Sequence, residues 1–199
     1  MPKFAPCDIA QRFLQGRGLQ IGGSAHNAFG VECINVDLSS PPAPDVVAEQ
    51  MRQCGEVLPV DVVADAAHLP FECSVWPWVL AAHVIEHTPN PIGTLIEWDR
   101  VVRVGGCIMV VCPIRNRTFD ATRPTTTWEH LYGDWLDDSK DLHGDPNGHA
   151  HVWDMSSFMA FIWQIQKNCS VKWDLEYFEA PDRRVGNGAV AVIRKTGER

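Results

Sequence analysis

The chain has 199 residues, 45% of them hydrophobic, about one typical domain with enough apolar material for a sizeable core. Collagen-like, coiled-coil and largely disordered architectures are excluded. Asp and Glu number 25 against 17 Lys and Arg, a net charge of -8, and only Arg183-Arg184 and Arg194-Lys195 are adjacent basic pairs. Wrapping a nucleic-acid polymer needs concentrated positive charge, so such a partner is not expected.

The seven cysteines form no CxxC and, being odd in number, cannot all pair within the chain. Cys107 and Cys112, in GGCIMVVCP, read as buried free thiols of a reducing compartment. No apolar run reaches bilayer-spanning length, and MPKFAPCD lacks the apolar region of a signal peptide. A cytoplasmic protein without a membrane partner is expected. No segment declares an oligomer interface, and a homo-oligomer is left open.

In chain order, RGLQIGG predicts a first strand ending at Gly22-Gly23, and ECINVDL, residues 32–38, a second ending near Asp37. Residues 39–56, with Pro41, Pro42 and Pro44 ahead of VVAEQMRQC, predict a turn and a short helix. VDVVADA, residues 60–66, is a third strand and WVLAA, residues 78–82, a fourth. In NPIGTLIEWDRVVRVGG, Ile92, Leu95, Ile96, Asp99 and Val102 fall near helical spacing, with Gly105-Gly106 as the stop. Residues 107–112 form a fifth strand closed by Pro113.

Residues 113–152 are polar, aromatic and rich in His, Asp and Gly, too long for a plain connector. They read as a lid or substrate-binding insertion with a short helix near Thr127 to Leu136. A helix from Met155 to Lys167 follows an Asp154 or Ser156 cap, with Trp163 packed in it, and residues 171–178 and 188–193 predict an antiparallel pair joined by the Pro181 to Gly186 turn. Alternating strands and helices imply an α/β fold: one Rossmann-like domain with a mostly parallel sheet, helices on both faces and an antiparallel C-terminal pair.

Adjacent glycines at a strand end permit tight curvature and close backbone approach by a ligand. LQIGGSAHNAFG is neither GxGxxG nor a triphosphate-binding loop. Asp37 ends the next strand 15 residues after Gly22; a carboxylate there can accept two hydrogen bonds from a ribose diol. Asp65 ends the third strand, where it and the backbone around Ala66 suit an adenine edge. Each Asp alone is also a plausible turn cap; three successive strand ends together favour a nucleoside cofactor.

The set LQIGGSAHNAFG, INVDL, DVVADAAHLPF, VLAAHVIEHTPNP and EWDRVVRVGGCIMVVCP resembles the class I S-adenosylmethionine-dependent methyltransferases of small-molecule type, over residues 18–113 and in the expected order. The resemblance implies S-adenosylmethionine as cofactor. Gly22, Gly23 and Ser24 would approach its methionine part, Asp37 and Leu38 the ribose side, Asp65, Ala66 and Leu69 the adenine, and Ala82 and His83 the methyl-donor end. Gln20 stands where the family usually has an acidic residue, and SVWPW replaces its acidic-aromatic opening before the fourth strand.

HVIEH, residues 83–87, literally matches the HxxEH of one zinc peptidase class, but the prolines after it leave little helix to hold both histidines. Structural polar contacts are the preferred reading, a substrate-facing role for His83 is the alternative, and no metal ligand is assigned. In an extended HGDPNGHAHVWD, His149 and His151 point to the same side, where they are open to metal binding, acid-base chemistry or plain solvation. His149, His151 and His83 are the candidate catalytic bases. Arg115, Arg117 and Arg123 are candidates for an anionic acceptor, and Trp128 and Trp153, with Trp135, for a flat or apolar one. The expected reaction is methyl transfer to a small-molecule acceptor. A non-methylating lyase, rearrangement or metal-dependent reaction on the same fold, or a noncatalytic small-molecule-binding or regulatory protein, are the alternatives.

Overall fold

A computed structural model describes residues 7–23, 29–55, 57–138 and 148–199, with only the backbone of Glu49, Gln53 and Cys54. Seven strands form one sheet: β1 (Gly18–Ile21), β2 (Cys33–Asp37), β3 (Val62–Val63), β4 (Trp76–Ala82), β5 (Val102–Pro113), β6 (Trp173–Glu179) and β7 (Gly188–Lys195). Their spatial order is β3-β2-β1-β4-β5-β7-β6. The first five run parallel, and β7 lies antiparallel between β5 and β6. This is the expected mostly parallel sheet with its C-terminal pair.

Central strands of such a sheet are covered on both sides, so their sequences read as continuous apolar runs whose alternate residues serve opposite faces. On one face Leu19, Ile21, Val79, Ala81, Ile108, Val110, Ala191 and Ile193 form a core with helices α3 (Pro91–Val101) and α5 (Met155–Asn168). On the other, Trp78, Leu80, Met109, Val111, Val190 and Val192 pack against helix α1 (Asp8–Phe13) through Ala10, and with Leu14 and Phe29. Gly18 makes room for this second core: a Cβ there would fall 2.2 Å from the Trp78 ring.

Helix α2 (Pro44–Cys54) starts with Pro at its first position and ends at left-handed Gly55. In α3, Asn90 accepts a hydrogen bond from the Gly93 amide, and Ile92, Leu95, Trp98 and Val101 turn inward. In α5 the capping box pairs Asp154 with Ser157, and Phe158, Phe161, Ile162 and Ile165 are buried. Helix α4 (Trp128–Leu136) is capped by Thr127 and enters the core through Leu131.

Several expectations are corrected. The helix read as ending at Gly105-Gly106 stops at Val101, because Val102 is already extended and β5 begins there. Gly106 sits inside that strand, where a Cβ would approach the Pro77 carbonyl to 2.7 Å. Strand β3 is two residues rather than seven, since Asp65 folds into a turn. Trp163 faces solvent on the outer side of α5, with the Lys167 ammonium 5.0 Å from its ring centre. Helix α1 carries no counterpart in the periodicity read above. The six cysteines whose side chains are described are free thiols, and burial pushes those of Cys33 and Cys107 up to about 11. Among the described residues no helix is long and apolar enough to cross a membrane.

The β6–β7 turn is organised by Asp182, 5% exposed, whose carboxylate accepts from the amides of Arg184, Val185, Gly186 and Gly188. Burial pushes this carboxyl up, but the amides outweigh it and hold it below its ordinary value. A lowered folded value means stabilisation that is complete above the unfolded pKa, near ~4, and is lost as pH falls through the folded one. Asp182→Asn puts a donor among four donors. It is expected to lower unfolding free energy at pH 7 by about 1–3 kcal/mol and to flatten the acid limb of the stability curve, both read by urea melts across pH.

Candidate active site

In an open α/β sheet, ligands bind beyond the carboxyl ends of the strands where the strand order reverses. Here β1 has β2 on one side and β4 on the other, so the reversal falls between β1 and β4. The turns after β1, β2, β3 and β4 all leave from that edge.

After β1, Gly22 has φ +64, a conformation that favours glycine, and its amide donates to the Val36 carbonyl at 2.8 Å. A Cβ on Gly22 would meet Val84 at 2.5 Å, and one on Gly23 would meet Asn35 Oδ1 at 2.4 Å. The Gln50 side chain of α2 donates to the Gly23 carbonyl at 3.0 Å, fixing the turn from behind. Ser24 lies outside the described residues. After β2, Asp37 accepts from the Leu38 amide, and the Leu38 side chain is 72% exposed although it adjoins the core.

After β3, Asp65 accepts from the Ala67 amide in a tight turn. The loop from Ala66 to Phe71 is clamped to α3. Trp98 Nε1 donates to the Ala66 carbonyl at 2.9 Å, the Leu69 amide to Glu97 at 2.7 Å, and Arg100 to the Leu69 and Phe71 carbonyls. Arg100 also grips Glu97 with two 2.7 Å bonds. The Leu69 side chain is in the core, so only its backbone edge borders the turn. Glu97 and Arg100 were passed over in the sequence, although their i,i+3 spacing on a helix is a readable pair.

After β4, Ala82 is buried and His83 takes φ +55 at the start of a bend that runs into a single 3-10 turn, Ile85–His87. His83 Nδ1 lies 3.4 Å from Glu86 Oε1, and His87 Nε2 lies 3.8 Å from the same oxygen. Glu86 is fully buried. Burial alone would raise its carboxyl; His83 and His87 reverse this and hold it below its ordinary value.

The segment after β5 is tied to this edge. Arg115 N donates to the Trp153 carbonyl and Thr126 N to the Val152 carbonyl, so its two ends are stitched together. His149 Nδ1 bonds Asp120 at 2.7 Å, and Arg123 bonds the other Asp120 oxygen at 2.7 Å. Both outweigh burial and keep that carboxyl below its ordinary value. His149 also meets the rings of His87 and Phe119, at 4.8 and 4.6 Å.

The expectation that His149 and His151 share one side is corrected. The backbone bends at Gly148 and Ala150, and His151 goes to a separate group with His130, Asp134 and Trp153. Its Nε2 faces the Pro89 carbonyl at 3.3 Å and its side chain has no exposed surface. Trp153 is likewise core, against Phe158 and Phe161. Arg115 donates to the Arg123 carbonyl, Arg123 is held by Asp120, and Arg117 is exposed near the β6–β7 turn. Trp128 is half-buried on α4, its ring 5.4 Å from Tyr132.

Arg100→Lys keeps the charge but loses the two-pronged grip on Glu97 and at least one carbonyl bond. Stability is expected to fall by about 1–2 kcal/mol with an unchanged urea slope. A change within ~0.5 kcal/mol would mean that the Ala66–Phe71 loop is held by other contacts.

Residues 15–110 match the family model of the methyltransferase domain. No curated protein matches the chain significantly. Among solved structures, an S-adenosylmethionine-dependent methyltransferase of Methanosarcina mazei is 19% identical, with TM-score 0.58 over 96% of this chain and 98% of that one. A second from Thermotoga maritima is 16% identical, with TM-score 0.52 over 92% and 83%. The cyclase SpnF is 14% identical, with TM-score 0.57 over 96% and 80%. The domain match supports S-adenosylmethionine as the cofactor and an enzymatic activity of the methyltransferase type, and the solved structures show the fold. The chain has the fold of the class I S-adenosylmethionine-dependent methyltransferases, and its first half carries their domain signature.

Proposed function

We propose that the chain transfers the methyl group of S-adenosylmethionine to a small-molecule acceptor, with the cofactor along the carboxyl edge of β1, β2 and β4. The observation that carries this reading is the convergence on that edge of a glycine turn after β1, Asp37 with an exposed Leu38 after β2, and the clamped Asp65 loop. A nucleoside fits these groups. Asp37 accepts the ribose hydroxyls, Leu38 offers an apolar surface to the purine, and Asp65 with the Ala66 backbone reads its edge. Gly22 and Gly23 present backbone to the amino-acid end, and Ala82 and His83 border the sulfonium.

The bound cofactor supplies an already activated methyl group. The protein's part is therefore to align an acceptor, exclude water and receive a proton where the acceptor is a hydroxyl. His149, oriented by Asp120, is the base, with His83 the other group beside the edge. His151 is withdrawn from this role by its burial. Arg117 and Trp128 remain for an anionic or flat acceptor, and residues 113–138 and 148–152 serve as the acceptor-side wall. A small-molecule rather than a nucleic-acid acceptor accords with the acidic charge.

Calorimetric titration with S-adenosylmethionine and S-adenosylhomocysteine is expected to show one site per chain. Asp37→Ala should weaken both by at least about tenfold, roughly 1.4 kcal/mol. Folded protein that binds neither ligand would overturn the cofactor site. Binding without conversion to S-adenosylhomocysteine across a broad acceptor panel would replace methyl transfer by another reaction on this fold.

A further inference from the structure

Glu86, His87 and His149 stand apart from the rest of the site in how their polar atoms are left. Both Glu86 carboxylate oxygens are buried, and neither accepts a hydrogen bond among the described residues, although His83 stands 3.4 Å away. A buried carboxylate whose nearest polar neighbours are two rings at 3.4 and 3.8 Å, with no hydrogen bond to either, is loosely held, and there is room for a tighter partner.

The two rings are already oriented. His87 Nδ1 bonds the Gly148 carbonyl at 2.6 Å, and a carbonyl only accepts, so the hydrogen is on Nδ1. His149 Nδ1 likewise donates to the Asp120 carboxylate at 2.7 Å, and Arg123 fixes that carboxylate from its other oxygen. In the neutral form of each ring the lone pair is therefore on Nε2. For His87 that nitrogen faces Glu86 Oε1 at 3.8 Å, beyond hydrogen-bond distance and wide enough to admit an ion held by both. A ring nitrogen donating to a carboxylate or carbonyl while its other nitrogen is free is the usual support for a metal-ligating histidine.

We propose that Glu86, His87 and His149 bind one divalent transition-metal ion of the zinc class. Ligand-capable atoms of the three lie within 4.8 Å of one another. Ligands at 2.0–2.2 Å from a tetrahedral ion are ~3.4 Å apart, so loading draws the cluster together by roughly an ångström. Two imidazoles and one carboxylate suit zinc, cobalt or nickel, whereas magnesium and calcium prefer oxygen alone. Three protein ligands leave a tetrahedral ion one open position. His87 and the neighbouring Phe119 are the exposed members, so that position is reached from their side. If the chain methylates a hydroxyl, the ion would lower the acceptor's pKa while His149, as its ligand, would no longer be the base, leaving His83 or solvent to take the proton; ion binding itself does not rest on that reading.

The test is a titration of the chelator-stripped full chain with Co²⁺, followed by visible absorption, and with Zn²⁺, followed by calorimetry. One ion per chain is expected, with tetrahedral cobalt bands that Zn²⁺ abolishes. His87→Gln, at a ring 45% exposed and so little needed for folding, and His149→Gln should each weaken binding at least about a hundredfold. Asp120→Asn, which only positions His149, should cost about 10–100-fold. His130→Gln, in the neighbouring His130, Asp134 and His151 group, should leave binding unchanged. No stoichiometric binding, or wild-type affinity in both ring variants, overturns the proposal, as does loss of binding in His130→Gln alone. Near-ultraviolet circular dichroism confirms that each variant is folded. S-adenosylmethionine is titrated separately into ion-free protein, so failure of the ion site and failure of the cofactor site give different results.

Discussion

A parallel sheet buried on both faces has only its ends available for chemistry, and this chain is arranged around that constraint. Val79, Ala81, Ile108 and Val110 fill one core while Trp78, Leu80, Met109 and Val111 fill the other, so the middle of β4 and β5 is apolar on both faces. The reactive residues are displaced to the turns. With β1 between β2 and β4, the turns that leave the carboxyl edge diverge and open a crevice that a long, flat ligand can cross.

What lines the crevice is held from outside it. Gln50 steadies the glycine turn, the Glu97 and Arg100 pair steadies the Asp65 loop, and Asp120 with Arg123 steadies His149. Each is a charged or amide group on a neighbouring element that bonds backbone or a ring nitrogen. Rigid support of this kind sets an edge in advance of its ligand, which lowers the ordering cost on binding.

The fold was legible because two-sided apolar runs such as LAA and CIMVVC, with glycine turns after them, are strong local signals. Asp37 and Asp65 were legible for the same reason, each being the polar residue that closes such a run. Boundaries were less so: Val101-Val102 reads equally as helix or strand, and only the pairing of Val102 with Trp76 decides it. The meeting of Glu86 with His149 was not legible, because it joins residues 63 positions apart. HVIEH invited a search for both metal-facing histidines within itself, whereas the ring beside His87 comes from the far end of the post-β5 segment. Equally, the alternation rule that put His149 and His151 on one side presupposes an extended backbone, which the bends at Gly148 and Ala150 remove.

The two sheet margins have a consequence for how copies of the chain meet. An unpaired strand is a template for another, and long flat neutral margins invite stacking of molecule on molecule. Here one margin is β3, whose two residues offer too short a row of amides to recruit a neighbour. The other, β6, carries the charged residues Asp174, Glu176 and Glu179, the last two paired with Arg194 and Arg183, and a register irregularity between Leu175 and Tyr177, features that blunt an edge against strand addition. Continuous sheets running from one molecule into the next are thus disfavoured at both ends, and contacts between copies are directed to the helical faces.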